Sequence, residues 1–351
     1  MRVLVVDDSA LMRKHLAGIL RSEADIEVEV ARNGSEAVRL VEEYQPDVVT
    51  LDINMPEMDG LSALSLIMVQ RPTPVVMVSS LTSRGATATL EALALGAVDF
   101  IAKPEGTISL SIDGVREQIL SKVRQAAKAR LAVAAGRPGT VERRRPPAEA
   151  VPVAAPPVSA EMPLVVIGVS TGGPRTLETI LPALPANFPA AVLIAQHMPA
   201  NFTAALAQRL DQSCQLPVRE VSGPTPLRPG EVWFGRGGAD LTLSRRAGRL
   251  LVSPVPEDRQ FCWHPSVSRL MASANQLLPP EQLIGVMLTG MGNDGAEEMT
   301  VLHRNGGRTI AESEASSVVF GMPADLIRRG GASAVHPAEQ VAEQLLHWLM
   351  H

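Results

Sequence analysis

Apolar and polar positions follow a slow rhythm along this chain. Short apolar runs end at a glycine or a polar group, and a helical pattern follows each. In the first third the runs fall at 3–6, 26–31, 48–53, 75–79 and 100–102. Helical patterns occupy 9–21, 35–44, 61–71 and 84–95, and a last one starts near 112 and runs toward 130. Strands apolar on both faces, alternating with helices, predict a parallel sheet covered on both sides. The rhythm resumes with strands at 164–169, 190–196 and 283–289, and helices at 175–184, 201–210 and 266–278. Between the second and third of these strands lie a strand at 232–235 and a hairpin, 241–244 with 250–252, turning at Ala247-Gly248. A strand at 309–311 and a helix at 338–349 complete the pattern. The fold class is α/β, with two doubly wound parallel-sheet domains at 1–130 and 163–351. The stretch 131–162 has no periodicity and is rich in Pro, Ala and Arg, including Arg143-Arg144-Arg145-Pro146-Pro147, so it reads as an extended spacer.

Composition narrows this picture. A length of 351 residues, 46% hydrophobic and 20% charged, suits two globular domains with separate cores. The net charge of -5 argues against a nucleic-acid partner. Cys214 and Cys262, the only cysteines, lie too far apart for a disulfide framework or a zinc motif. Two acids, Asp7 and Asp8, arrive too early for a signal peptide, and no apolar run approaches the roughly 20 residues of a membrane span. The expectation is a cytoplasmic protein without direct membrane insertion.

Chemistry concentrates where the runs stop. In the first domain Asp7 and Asp8 follow the first strand, Asp52 ends the third, Ser79 the fourth, and Lys103 follows the fifth. The carboxyl ends of the strands form the ligand crevice of such a sheet, so these groups should converge. Carboxylates a few Å apart repel by roughly 4 kcal/mol per pair, which calls for a cation; oxygen ligands with open positions favour Mg²⁺. Asp52 is then the attacking carboxylate that forms an acyl phosphate, Lys103 offsets the added charge, and Ser79 hydrogen-bonds the phosphoryl oxygen. Acids merely capping helices would account for Asp7 or Asp8 singly, but not for the whole set.

In the second domain Gly168-Val169-Ser170-Thr171-Gly172 fits G-x-S-x-G, a serine on a tight strand-to-helix turn. A glycine-rich phosphate loop is the plainer alternative; neither G-x-G-x-x-G nor a Gly-Lys-Ser/Thr tail supports it. His197 follows the next strand, and Asp294 lies just past the third, beginning a helix. Serine needs a base, and the base needs an acid to set its tautomer, so Ser170, His197 and Asp294 form a candidate triad. Singly, each could be a helix cap or a hydrogen-bonded loop residue. The glycines around Asp294 would let a backbone N–H such as that of Met291 face an oxyanion.

Two resemblances follow from these motifs. Leu51-Asp52-Ile53-Asn54-Met55-Pro56-Glu57-Met58-Asp59-Gly60 and Asp99-Phe100-Ile101-Ala102-Lys103-Pro104 resemble the response-regulator receiver family. Gly168–Pro174, Gln196-His197-Met198-Pro199, 287–295 and Glu314-Ala315-Ser316-Ser317-Val318-Val319-Phe320-Gly321-Met322-Pro323 resemble the catalytic domain of the chemotaxis protein-glutamate methylesterases, the CheB family. The resemblance implies a flavodoxin-like receiver and a Rossmann-like esterase. A sensor histidine kinase would phosphorylate Asp52, with Mg²⁺ on Asp7, Asp8, Asp52 and the Asn54 backbone. Ser79 and Phe100 would form the switch pair, although Phe100 has no hydroxyl and equally suits plain core packing. Ser170 would be nucleophile, His197 base, Asp294 orienting acid and Thr171 an active-site hydroxyl. The implied substrates are methylated glutamates and glutamines of methyl-accepting chemotaxis receptors, with the unphosphorylated receiver covering the cleft. Two positions depart from the family: Asn54 stands where Glu is frequent, and Ser268 where an acid is common. A catalytically silent receiver or scaffold acting as a phosphate sink is the rival reading, and the intact Ser170, His197 and Asp294 count against it.

Overall fold

The structure, a computed structural model, describes residues 1–103, 108–129 and 162–350. The spacer expected at 131–162 lies outside the described residues except for Met162, as does Pro104. The chain divides into two units, Met1–Leu131 and Ala132–His351.

In the first unit, strands β1 (Arg2–Val6), β2 (Glu27–Ala31), β3 (Val48–Asp52), β4 (Val75–Ser79) and β5 (Asp99–Ala102) form a parallel sheet in the order β2-β1-β3-β4-β5. Helices α1 (Ala10–Arg21), α2 (Gly34–Tyr44), α3 (Gly60–Gln70), α4 (Ser83–Leu95) and α5 (Ile108–Ala126) alternate with them. The last begins four residues earlier than its apolar pattern indicates. Ser9, Asn33, Asp59 and Thr82 cap the first four helices, each side chain accepting a backbone N–H of the first turn. These caps stop the strands cleanly, so the polar strand ends share one rim of the sheet. Val6 pairs with Leu51 across β1 and β3, which sets Asp7 level with Asp52 where the strand order reverses.

The second unit holds β6 (Leu164–Val169), β7 (Ala191–Gln196), β8 (Val218–Glu220), β9 (Thr225–Pro226), β10 (Val232–Phe234), β11 (Asp240–Arg246), β12 (Arg249–Val255), β13 (Leu283–Met287), β14 (Arg308–Glu312) and β15 (Ala334–His336). Its helices are α6 (Gly173–Ile180), α7 (Ala200–Ser213), α8 (Val267–Leu277), α9 (Ala296–Arg304), α10 (Met322–Arg328) and α11 (Ala338–Met350). Seven strands make a parallel sheet ordered β15-β14-β13-β6-β7-β10-β8, and β11-β12-β9 form a small antiparallel one. The chain leaves β6 toward β7 and returns on its other side at β13, so the switch point lies between β6 and β13. The hairpin is longer than its apolar pattern, with Ala247 and Gly248 both left-handed (φ 48° and 74°) between Arg246 and Arg249. That is the two-residue turn matching the strand twist. Leu164, Val166 and Leu193 of the sheet pack with Leu270 and Met271 of α8 and Met299 of α9 in one buried core. Each such side chain contributes about 1.5–3 kcal/mol by leaving water.

Candidate active site

Every residue of β6 is buried, and Ser170 is the first to leave the sheet. Val169 pairs with Gln196 on β7, so Ser170 and His197 are successive neighbours on adjacent strands. Such strands lie about 4.8 Å apart. On the other side, the Ser170 N–H donates to the Thr289 carbonyl at 2.9 Å, carrying the pairing past β13. The chain then turns sharply: Gly172 is left-handed (φ 83°) and Gly173 N donates back to Ser170 O at 2.9 Å. Pro174 opens α6 in the first turn, where its missing N–H is harmless. The buried Gln196 amide clamps the turn, Nε2 donating to the carbonyls of Ser170 (3.0 Å) and His197 (3.3 Å). Gly290 presses from the next loop so closely that a Cβ there would meet Ser170 Cβ at 2.6 Å.

The His197 imidazole meets Asp294 through Nε2, 2.8 Å from Oδ2, and both side chains are nearly buried. Nδ1 is buried without a hydrogen-bond partner. Nε2–H therefore donates to the carboxylate, and Nδ1 keeps the lone pair that can accept a proton. This reverses the usual assignment, in which the acid takes Nδ1. Stacked on the ring lies Trp263, centroids 5.1 Å apart and planes 10° from parallel.

Asp294 does not begin its own helix, contrary to the sequence reading. Gly295 flanks α9, which starts at Ala296. Asp294 instead serves the N-terminus of α8: Oδ2 accepts from Val267 N (2.7 Å), and Oδ1 from Ser268 N (3.0 Å) and Ser266 Oγ (3.0 Å). A helix start with orphan N–H groups and a positive end suits a carboxylate. Burial pushes the Asp294 carboxyl up, but His197 and the Ser268 and Val267 amides outweigh it and hold it below the usual carboxylate value. Ser268, a departure from the family's common acid, joins this clamp: its hydroxyl donates to Glu298 at 2.8 Å and accepts from Gly295 N at 2.8 Å.

The loop after β13 is tied down from beneath. Thr289 N donates to buried Glu312 (2.8 Å), and Thr289 Oγ1 donates to the Thr171 carbonyl (2.9 Å). Burial raises the Glu312 carboxyl above its ordinary value, against the opposing Thr289 amide and Ser316 hydroxyl. Thr171 is buried beside this knot, and Met291 follows Gly290 in the same loop. Sequence reasoning missed Trp263, Ser266, Glu312 and Asp240. Asp240 is fully buried and accepts from His264 Nδ1 (3.1 Å), Ser266 N (2.8 Å) and Arg269 Nη1 (2.8 Å). The only available signal was an acid at the start of a strand. Cys262 is exposed and free, and His264 is engaged by Asp240.

In the first unit Lys103 Nζ lies 3.0 Å from Asp7 Oδ2 and 2.8 Å from Asp52 Oδ2. Asp7 and Asp52 are buried and Asp8 is exposed; the three offer carboxylate oxygens within 4.8 Å of one another. Burial first, then Asp7, raises the Asp52 carboxyl above its usual value despite Lys103. Burial lowers the Lys103 ammonium, but Asp52 and Asp7 outweigh it and the net shift is upward. A hard-oxygen set with one solvent-facing member fits a divalent cation such as Mg²⁺. Asn54 is exposed in the following loop. Ser79 Oγ is buried and donates to Gly85 O at 3.3 Å. Phe100 is buried in β5, with Lys122 Nζ 5.0 Å from its ring centre.

An acid-lined sheet end in one unit, and in the other a serine whose register neighbour is an imidazole bonded to a carboxylate, suit a two-domain α/β hydrolase. Residues 165–345 match the CheB methylesterase family model, and residues 3–111 the response regulator receiver domain. The chain belongs to the CheB methylesterase family. It is 54% identical over 358 residues to protein-glutamate methylesterase/protein-glutamine glutaminase 3 of Rhodospirillum rubrum, covering 99% of this chain and 96% of that one. The protein of the same name from Vibrio cholerae is 47% identical over 332 residues, covering 94% and 91%. The CheB methylesterase catalytic domain of Thermotoga maritima has a crystal structure that superposes with a TM-score of 0.51 at 39% identity. That superposition covers 53% of this chain and 97% of that one.

Proposed function

We propose that this chain hydrolyses the methyl esters of glutamate side chains on methyl-accepting chemotaxis receptors, and deamidates receptor glutamines, at a rate set by phosphorylation of Asp52. Residues 1–130 act as receiver, 131–162 as spacer and 163–351 as esterase. The observation that carries the reading is the His197–Asp294 bond, with Nδ1 left over on a ring that is the register neighbour of Ser170.

Ser170 Oγ attacks the ester carbonyl carbon as Nδ1 of His197 takes its proton, and Asp294 stabilises the imidazolium. The carbonyl oxygen becomes an oxyanion facing the Met291 N–H, with the Thr171 hydroxyl beside it. Collapse breaks the C–O bond to the methoxy group, which leaves as methanol with the proton from Nδ1. A glutamyl ester of Ser170 remains. Water, losing a proton to Nδ1, attacks that ester and releases the glutamate carboxylate and the serine hydroxyl. With glutamine the first leaving group is ammonia.

In the receiver, Asp7, Asp8, Asp52 and the Asn54 carbonyl would hold Mg²⁺, which offsets the charge of an incoming phosphoryl group. An Asp52 oxygen attacks the phosphorus of a sensor kinase's phosphohistidine; the P–N bond breaks and the histidine imidazole leaves. Lys103 balances the added charge, Ser79 turns its hydroxyl to a phosphoryl oxygen, and Phe100 moves with it. A substrate on the receptors' signalling ends calls for a cytoplasmic enzyme. No helix among the described residues is long and apolar enough to cross a membrane. The experiment is methanol release from methyl-labelled receptor, with and without a small phosphodonor and Mg²⁺. Ser170→Ala should lose about four to six orders of magnitude in turnover. A mutant that still releases methanol refutes the nucleophile, and equal wild-type rates in both conditions refute the control.

A further inference from the structure

The carboxylate of Asp294 fixes where Nε2 points, but a single N–H···O bond leaves the imidazole free to rock about that bond. The face of the ring is held by something else. Trp263 lies parallel to it, 10° between planes and 5.1 Å between centroids. This half-buried indole belongs to the segment joining β12 to α8. Asp240 anchors that segment on both sides of the indole. The fully buried carboxylate accepts from Asp258 N (3.3 Å) before Trp263, and from His264 Nδ1 (3.1 Å) and Ser266 N (2.8 Å) after it. Arg269 Nη1 adds a charge-assisted bond to the same group at 2.8 Å. Ser266 then passes the constraint on, its hydroxyl donating to Asp294 Oδ1 at 3.0 Å. One buried carboxylate thus fixes both the wall against His197 and the helix start that clamps the orienting acid.

We propose that Trp263 is a positioning residue for the catalytic base. It holds the His197 ring in one plane, with Nε2 on Asp294 and Nδ1 left to take the proton of its register neighbour Ser170, and its π-face favours the imidazolium formed during turnover. The proposal rests on the reading of His197 as the base. An imidazole held only at Nε2 would spend much of its time with Nδ1 out of line, and proton transfer depends steeply on alignment.

The test uses the full chain carrying Trp263→Leu or Trp263→Phe, assayed by methanol release from a chemoreceptor fragment bearing glutamate γ-methyl esters. W263L should lose kcat by roughly 10- to 100-fold with KM little changed, because a loosely held base costs the transition state and not binding. W263F keeps an aromatic face and should stay within about threefold of wild type. Proton NMR of histidine-labelled protein supplies the second readout, with the His197 signals identified by their absence in His197→Gln. The stacked indole should shift them upfield in the wild type, and W263L should abolish that shift. A W263L enzyme with wild-type kcat, a loss carried by KM alone, or a W263F as slow as W263L overturns the proposal. S170A run alongside separates the two possible failures: a dead S170A beside a fully active W263L sinks the positioning role and leaves the esterase reading standing.

Discussion

Asp294 binds His197 through Nε2 at 2.8 Å, so the proton-accepting nitrogen of the ring is Nδ1. The tautomer is thereby set by an acid that is itself held by the first turn of α8. Replacing Asp294 with Asn breaks this twice. The single remaining oxygen cannot serve both the α8 amides and Nε2–H, and an amide N–H turned to the ring would force the proton onto Nδ1. We expect kcat to fall by about 10⁴-fold with KM nearly unchanged, measured as methanol released.

The same carboxylate gives the second unit a pH signature. Its folded value is held below 3.8, so above the unfolded value it contributes stability that is lost as pH falls through the folded one. All three tryptophans, Trp233, Trp263 and Trp348, lie in the second unit, so indole fluorescence during urea unfolding reports on that unit alone. Wild type should lose stability steeply as pH falls below 3.8, and Asp294→Asn should show a shallower slope. Parallel slopes would mean that the α8 clamp does not hold the ionised form.

The legible parts of this chain were those with local signatures. Strands covered on both faces are unbroken apolar runs, so β1, β3, β4, β6, β7 and β13 stood out, and Ser170 and His197 were found because each ends such a run. The short β8, β15 and α10 went unread, being too brief to show a period. Asp294 was found for its chemistry but misplaced as a helix start, because the helix it serves, α8, precedes it by a whole strand. Trp263 and Glu312 left no signal, and Asp240 only that of an acid at the start of a strand. Their partners lie on other elements, and nothing in the spacing of one segment records what another will press against it.

In the receiver, Lys103 stands between two buried carboxylates and its loss should be severe. Lys103→Met leaves Asp7 and Asp52 uncompensated and should cost about 3 kcal/mol at neutral pH. The raised Lys103 value means that its contribution is fully present below 10.5 and is lost as pH rises through the folded value above that. Asp52 has the opposite character for an acid: with its folded value above 3.8, stability falls as pH rises through that value. Adding Asp52→Asn to Lys103→Met should therefore restore part of the loss, a non-additivity measurable by calorimetry. Additive effects would show that the ammonium does not offset the acids.

A cation should do what Lys103 does only in part. Mg²⁺ at ten times its dissociation constant should stabilise the receiver by about 1.4 kcal/mol, seen as a higher melting temperature that EDTA reverses. Asp8→Asn should abolish the increment and leave the metal-free melting temperature nearly unchanged, because Asp8 is the exposed member of the trio. An Asp8→Asn protein that still responds to Mg²⁺ would place the ion elsewhere.

Gly290 sets how far Ser170 can move. A methyl group there would sit 2.6 Å from Ser170 Cβ and 2.6 Å from Met322 Sδ. The thioether can swing aside, since methionine is flexible. The backbone cannot follow: Gly290 N donates to Val319 O at 3.0 Å, and Gly290 O accepts from Gly321 N (3.1 Å) and Met322 N (2.8 Å). The displaced group must then be Ser170, the proposed nucleophile. Gly290→Ala should lower kcat by about 100-fold. Its melting temperature should move by only a few degrees, as about 1 kcal/mol of strain would produce. Gly223, where a Cβ meets nothing within 4 Å, is the matched control, and Gly223→Ala should leave both quantities unchanged. A Gly290→Ala enzyme of normal kcat would show that the nucleophile has room the packing here denies it.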